Sequence, residues 1–173
     1  AGAQYGHPAS RWHPAMRPYI RGRRQGIHII NLRETLKGFV RAYRFLKTIA
    51  SEGKTILVVG TKPAAREAVA RMGAIPNVST VAERWLGGTL TNFRTIRARI
   101  SRLEQLEVAV RGEVAGRLSK REAAALQREY RKMERNLGGI RAMKEMPGVV
   151  VLVDPKREGN ACRECVGLGI PTV

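Results

Sequence analysis

Two glycine-containing turns in this sequence stand directly before predicted helices, where backbone amides often bind phosphate. One is Gly60-Thr61-Lys62, which follows an apolar run. The other lies within RWLGGTLTNF, Arg84–Phe93, ahead of a long basic helix. Neither has the spacing G-x-x-x-x-G-K-[ST] or G-x-G-x-x-G that wraps a nucleotide. An ordinary strand-to-helix turn and a glycine hinge are therefore the competing interpretations.

Cys162 and Cys165 form a C-x-x-C pair, the spacing of a redox pair or of half a zinc site. A tetrahedral zinc site needs two more ligands, but there is no other cysteine, and His7, His13 and His28 are distant in sequence. Thioredoxin-type cysteines open a helix, whereas these lie in the body of a predicted one. We therefore expect small packed side chains, with no metal, no cofactor and no catalytic centre.

The charge of the chain predicts a polyanionic partner. It has 32 lysines and arginines against 14 acidic residues, for a net charge of +18. Cations that neutralise phosphates release condensed counterions, which makes such binding strong and salt-sensitive. Residues 1–33 contain six arginines and no acidic residue. The excess of arginine over lysine favours RNA, although a GC-rich genome would also explain that ratio.

Alternating strand and helix patterns predict an α/β fold with a mostly parallel sheet. TILVVG, 55–60, and PGVVVLVD, 147–154, are apolar runs typical of strands buried on both faces. Further strands are predicted at Val78–Val81 and Ile170–Val173. Helices are predicted over the following segments: Leu32–Ala50, Pro63 to the residue before Gly73, and Asn160–Leu168. No apolar run approaches the ~20 residues of a membrane-spanning helix.

Between Asn92 and Leu137 the pattern changes to two helical stripes with spacings typical of coiled-coil seams. The first stripe is Phe93, Ile96, Ile100, Leu103 and Leu106, and the second is Ala123, Leu126, Tyr130, Met133 and Leu137. Between them lie Gly112 and Gly116, and Ser119 stands in capping-box register with Glu122. We predict an antiparallel coiled-coil hairpin whose surplus of cations contacts RNA or a neighbouring protein.

Three parts follow from these patterns. Residues 1–26 form a basic irregular segment facing RNA, 27–91 and 138–173 form the α/β domain, and 92–137 form the inserted hairpin. A Leu-Gly-Gly sequence stands at each end of the insertion, at 86–88 and 137–139. We expect the chain to cross closely there, with Thr89 or Thr91 capping the first helix.

Taken together, the motifs resemble the small-subunit ribosomal protein two family, in its bacterial and organellar form. They are, in order, AGAQYGH, RWHPAMRPYI, IHIINL, VVGTKPAA, ERWLGGTLTN, LGGI and PGVVVLVDPKREGNACRECVGLGIP, and they span nearly the whole chain. The resemblance implies a Rossmann-like or flavodoxin-like α/β domain carrying a coiled-coil hairpin. It also implies binding to small-subunit ribosomal RNA between head and body, neighbouring ribosomal proteins, no enzymatic activity, no small-molecule substrate and no membrane.

Two departures qualify the resemblance. Members usually have an extra N-terminal segment and continue past GIP, so the chain is expected to be a portion of a longer protein. Gln4 stands where many members have a histidine, which weakens any metal site around His7.

The hypothesis from sequence is a structural ribosomal protein of a bacterial or organellar ribosome. Its expected rRNA-binding residues are cations of the opening segment and of the turns described above: Arg11, Arg17, Arg21, Arg23, Arg24, Lys62, Arg84, Arg94 and Arg97. The alternative is a nucleotide-binding or redox α/β enzyme that uses Gly60-Thr61-Lys62 or the two cysteines.

Overall fold

The computed structural model describes residues 2–111 and 119–173, so Gly112 and Gly116 lie outside the described residues. The chain divides into two compact units, Ala1–Lys47 and Thr48–Val173. The strands are β1 (Tyr5–Pro8), β2 (Ile20–Arg24), β3 (Ile27–Ile30), β4 (Ile56–Val59), β5 (Val78–Val81) and β6 (Val149–Leu152). The helices are α1 (Leu32–Ser51), α2 (Pro63–Met72), α3 (Phe93–Arg111), α4 (Lys120–Leu137) and α5 (Gly159–Leu168). Within the described ranges, none of these helices is long and apolar enough to cross a membrane.

The first unit contains a small antiparallel sheet in the order β1-β3-β2. It is more ordered than the sequence predicted, since β1 and β2 both fall in the segment expected to be irregular. The strand β3, which the sequence grouped with the α/β part, pairs with both of them. Gln25 and Gly26 join β2 to β3 with positive φ angles of 49° and 77°, as a two-residue hairpin turn requires.

The second unit is built on a parallel sheet in the order β5-β4-β6, which confirms the α/β prediction. Leu57, Val58 and Val59 of the central strand are all buried, and because successive side chains point to opposite faces, the strand is covered on both faces as expected. Thr172 forms a parallel bridge with Val150, so the chain begins another strand beside β6. The predicted helices α2 and α5 follow β4 and β6 respectively.

Helices α3 and α4 pack against each other and share one core with the sheet. The predicted stripe of α3 is its buried face, since Ile96, Ile100, Leu103 and Leu106 are all buried. The second predicted stripe supplies the facing residues of α4, of which Leu137 is buried and Tyr130 and Met133 are partly buried against the core. The α3–α4 pair is therefore anchored in the domain by the same apolar cluster that fills the sheet.

Helix α4 begins with the predicted capping box. The Ser119 hydroxyl accepts a hydrogen bond from the Glu122 amide, and the Glu122 carboxylate accepts one from the Ser119 amide. The hydrogen bonds from Ser119 lower the pKa of Glu122. Two otherwise unpaired amides of the first helical turn are satisfied in this way.

The two Leu-Gly-Gly sequences do not form the expected crossing with each other. A side chain on Gly139 would overlap the carbonyl oxygen of Thr80 in β5, so the close approach is between the end of α4 and the sheet. A side chain on Gly87 would meet nothing within 4 Å. The expected caps also differ: Thr89 donates to the Leu86 carbonyl at 2.5 Å, and the Thr91 hydroxyl donates to Glu164.

We expect Gly139→Ala to destabilise the protein by about 1–3 kcal/mol, because the added methyl group must displace backbone of β5. The measurement is the free energy of unfolding from urea titration. Gly87→Ala is the matched control and should change that free energy by less than about 0.5 kcal/mol. Equal unfolding midpoints for the two variants would contradict the proposed close approach at Thr80.

Candidate nucleic-acid interface

The loop in RWLGGTLTNF is occupied by a carboxylate of the protein itself. Glu164 lies on α5, between the two cysteines, and accepts hydrogen bonds from groups of this loop at 2.9–3.2 Å. The donors are the Trp85 indole nitrogen, the backbone amides of Gly88, Leu90 and Thr91, and the Thr91 hydroxyl. These amides do form an anion-binding site, and its anion is Glu164.

The charge state of Glu164 follows from these contacts. Partial burial would by itself raise its pKa, but the hydrogen bonds from Trp85 and the three amides outweigh burial and lower the pKa. The carboxylate is therefore ionised at neutral pH. Trp85 is only 8% exposed and donates its indole N–H to this carboxylate, so it packs within the domain.

The Gly60-Thr61-Lys62 turn is closed in the same manner. Buried Glu158, at the start of α5, accepts hydrogen bonds from the Thr61 amide at 2.9 Å and from its hydroxyl at 2.6 Å. The Lys62 ammonium lies 3.2 Å from Asp154, and this hydrogen bond lowers the pKa of that carboxyl. A side chain on Gly60 would meet Val69 at 2.9 Å, which explains the glycine by packing.

A cavity of about 400 Å³ lies beside this turn, between α2 and strands β4 and β6. Its lining is mainly apolar, with Val58, Val69 and Met72 among the residues. The charged residues in the lining are Lys62 and Asp154, which pair with each other. Such a cavity has no unpaired cation to offer a nucleotide phosphate, so it does not favour the enzyme alternative.

The cysteines lie on α5 as two free thiols. Cys165 is fully buried, and burial raises its pKa to about 11. A thiol with that pKa stays protonated at neutral pH and is a poor nucleophile. In the CREC motif the residue with an evident structural role is thus Glu164, which the sequence analysis overlooked.

Five of the predicted rRNA-binding residues lie in the first unit, and all five are exposed. Arg11 and Arg17 are on 3-10 helices, while Arg21, Arg23 and Arg24 are on β2, an edge strand. This unit has ten lysines and arginines against a single acidic residue, Glu34, which pairs with Lys37. Its surface therefore carries a large uncompensated positive charge.

The aromatic residues beside these arginines remain partly accessible. Trp12 is 44% exposed and packs on the His28 ring, with centroids 5.6 Å apart. Tyr19 is 47% exposed. Aromatic faces next to guanidinium groups are suited to stacking on unpaired bases.

A cavity of about 720 Å³, lined by polar residues and by Ile29, Ile30 and Leu32, brings Arg21 together with residues that were not predicted from the sequence. Its lining includes Gln4, Asn31 and Arg33. The Asn31 side chain also accepts a hydrogen bond from the Arg33 amide at the start of α1. Two guanidinium groups and two amides can donate hydrogen bonds to phosphate or to a base edge.

The remaining predicted residues lie in the second unit. Arg84 and Arg94 are exposed. Arg97 is half-buried and donates to the Met143 carbonyl at 3.2 Å, so part of its guanidinium is engaged in holding the chain after α4. Lys62 is engaged by Asp154, as described above.

Further exposed cations, which were not predicted as rRNA-binding residues, lie along the outer side of α4. Three of them recur every seven residues, and this spacing could have indicated from the sequence that they share one face of the helix. The five cations are Arg121, Arg128, Arg131, Lys132 and Arg135.

We expect Glu164→Gln to lower the free energy of unfolding by about 1–2 kcal/mol at pH 7, because the donors of the loop lose an ionised acceptor. The folded-state pKa is depressed below the usual 4.5, so the stabilisation is present above that pH and is lost as pH falls through the folded pKa. Urea titrations between pH 7 and pH 3 should show the two proteins converging. Glu145→Gln, an exposed site, is the control with the same charge change; a pH-independent difference would contradict this account.

Comparison with known proteins agrees with these features. Residues 1–173 match the family model described as "Ribosomal protein S2". The chain is 51% identical over its full length to "Small ribosomal subunit protein uS2" of Rhodopirellula baltica and 47% identical to that of Petrotoga mobilis. It spans 66% and 60% of the lengths of those two relatives.

A third relative, "Small ribosomal subunit protein uS2c" of Guillardia theta, is 46% identical over the whole chain, which covers 74% of it. The family model and these relatives all match the chain from end to end. The chain belongs to the ribosomal protein S2 family.

Proposed function

We propose that this chain is part of a structural constituent of the small ribosomal subunit and binds small-subunit ribosomal RNA through exposed cations. The observation that carries the proposal is the charge of the first unit, which contains ten lysines and arginines and one acidic residue. The relatives are named as proteins of the small ribosomal subunit. The partners are small-subunit rRNA and neighbouring ribosomal proteins, in the ribosome of a bacterium or an organelle.

The mode of binding is recognition of charge and shape. Arginines of β2 and of the preceding 3-10 helix contact phosphates, which position the protein without reading much sequence. Arg21 and Arg33 line one cavity, and the same unit exposes the rings of Trp12 and Tyr19, a combination that suits an unstacked nucleotide better than a regular duplex. Arg84 and Arg94 extend the proposed contacts in the second unit.

Two finer features of the fold belong to this proposal. The parallel sheet with its helices is of the Rossmann-like or flavodoxin-like kind, and the α3–α4 pair is an antiparallel coiled-coil hairpin. The spacing of three and four between the seam residues of α4 supports the second statement. The parallel order β5-β4-β6 supports the first.

The enzyme alternative loses its motivating features. The two turns that resemble phosphate sites hold Glu158 and Glu164, and a carboxylate in such a turn both occupies the amides and repels phosphate. Burial raises the pKa of Cys165 to about 11, so its thiol is less reactive than that of an exposed cysteine.

We expect the triple variant Arg21→Gln, Arg23→Gln, Arg24→Gln to bind small-subunit rRNA more weakly. The slope of log affinity against log salt should fall by about 2–3, at 0.7–0.9 for each phosphate that is no longer neutralised. Filter binding at several salt concentrations measures both quantities.

The matched control removes three cations that already pair with carboxylates, Lys37, Lys54 and Arg71. It changes the net charge equally and should keep a slope close to that of the unmodified protein. If the slope falls equally for both triple variants, net charge alone drives binding and the proposed site on β2 is wrong. An rRNA affinity of the unmodified protein that does not change with salt concentration would contradict the RNA-binding proposal itself.

A further inference from the structure

We propose that the outer face of α4 is a second, separate contact surface for the phosphate backbone of RNA. The proposal rests on the proposed rRNA-binding function and extends it to a surface that the first unit does not contain. Five cations define this surface, which we call the α4 cationic face: Arg121, Arg128, Arg131, Lys132 and Arg135.

The positions of these residues follow from helix geometry. Arg121, Arg128 and Arg135 each stand two residues before a seam residue, namely Ala123, Tyr130 and Leu137. At about 100° per residue, all five cations fall within an arc of roughly 100°, centred on the side opposite the seam. The face is roughly 21 Å long, at 1.5 Å per residue. All five side chains are exposed.

The acidic residues of the pair do not neutralise this face. Glu129 pairs with Arg102, Glu107 pairs with Arg111 and Arg141, and Glu104 pairs with Arg141. Glu122 is used in the capping box. Glu134 is half-buried and acts on Arg141, whose pKa it helps to raise. Within residues 2–111 and 119–173, none of the five cations of the α4 cationic face forms an ion pair. The α4 cationic face thus holds five exposed cations of the α3–α4 pair that have no carboxylate partner among the described residues, and Arg94 and Arg99 of α3 are two others.

The composition of the face favours RNA over a protein partner. Stable protein interfaces are anchored by buried aromatic or large apolar side chains. Among the described side chains of α4, no large apolar one is exposed. The residues between the cations include Ala124 and Ala125, which are small and let a bulky polyanion approach closely. Four of the five cations are arginines, which bind phosphate oxygens in a bidentate manner.

The test compares two double variants within the α3–α4 pair. Arg128→Gln with Arg135→Gln removes two cations of the α4 cationic face, whereas Arg102→Gln with Arg111→Gln removes two that are already paired with glutamates. Glutamine has nearly the same helix propensity as arginine, and circular dichroism verifies that both variants stay folded. Binding to small-subunit rRNA is measured at several salt concentrations for both variants and for the unmodified protein.

We expect the salt slope of the first variant to fall by about 1.4–1.8, at 0.7–0.9 per neutralised phosphate, and that of the control to change little. Wild-type binding with equal slopes for the two variants would overturn this inference and leave the proposed function intact. Absence of salt-dependent binding by the unmodified protein would instead overturn the proposed function.

A photo-cross-linking amino acid in place of Ala124 identifies the partner in assembled small subunits. Cross-links to ribosomal RNA support the inference. Cross-links only to a ribosomal protein, or none at all, overturn it, and the former would identify the α4 cationic face as a protein-docking surface.

Discussion

The second unit depends on two carboxylates of one helix that hold the loops at the carboxyl end of the parallel sheet. Glu158 binds the turn after β4, and Glu164 binds the loop after β5, so α5 joins both loops to the strand that precedes it. In α/β sheets this end of the strands is where ligands usually bind. Here the amides that would face a ligand face carboxylates of the same chain. The loop that leads into α3 is therefore fixed from within.

This internal use of acidic groups has an electrostatic consequence for the surface. Most of the described acidic side chains pair with a neighbouring cation or accept hydrogen bonds from the backbone, so they do little to screen the remaining arginines. With a net charge of +18, the surplus must appear on surfaces that lack such partners. In the part of the chain that the structure describes, the edge strand β2, with Arg21, Arg23 and Arg24, and the outer side of α4 are two such surfaces. A polyanion compensates this charge best, because its phosphates can pair with the cations and leave few of them desolvated without a partner.

The parts of the fold that the sequence predicted well are those determined by local pattern. Apolar runs identified β4 and β6, the strand at Val78–Val81 was also predicted, and helical spacing identified α1 and the buried face of α3. The capping box is likewise local, since Ser119 and Glu122 are three residues apart.

The features that could not be predicted from the sequence depend on partners distant in the chain. Glu164 contacts residues more than 70 positions away, and the glycine at 139 is required by Thr80, not by the other glycine pair. Neither β1 (YGHP) nor β2 (IRGRR) has the apolar alternation typical of a strand, and they become strands because β3 offers its hydrogen-bonding edges on both sides. The predicted rRNA-binding residues lie in both units, and Lys62 and Arg97 have internal partners that no local pattern indicates.

One constraint connects packing and charge on α4. The seam residues must recur at three and four positions to fill the space against α3, which leaves the positions two residues before Ala123, Tyr130 and Leu137 pointing away from the core. A side chain there contributes nothing to packing, so its type is free to serve solubility or a partner. Solubility alone is served by mixed charge, as the glutamates flanking the seam illustrate. A face of five cations with no acidic residue does not have this mixture of positive and negative charge. Its arginines therefore repel one another in the free protein. Dissolved salt screens part of that repulsion, but a polyanion along the helix offsets it more fully, so a bound phosphate backbone explains the charge pattern of α4 better than solvation does.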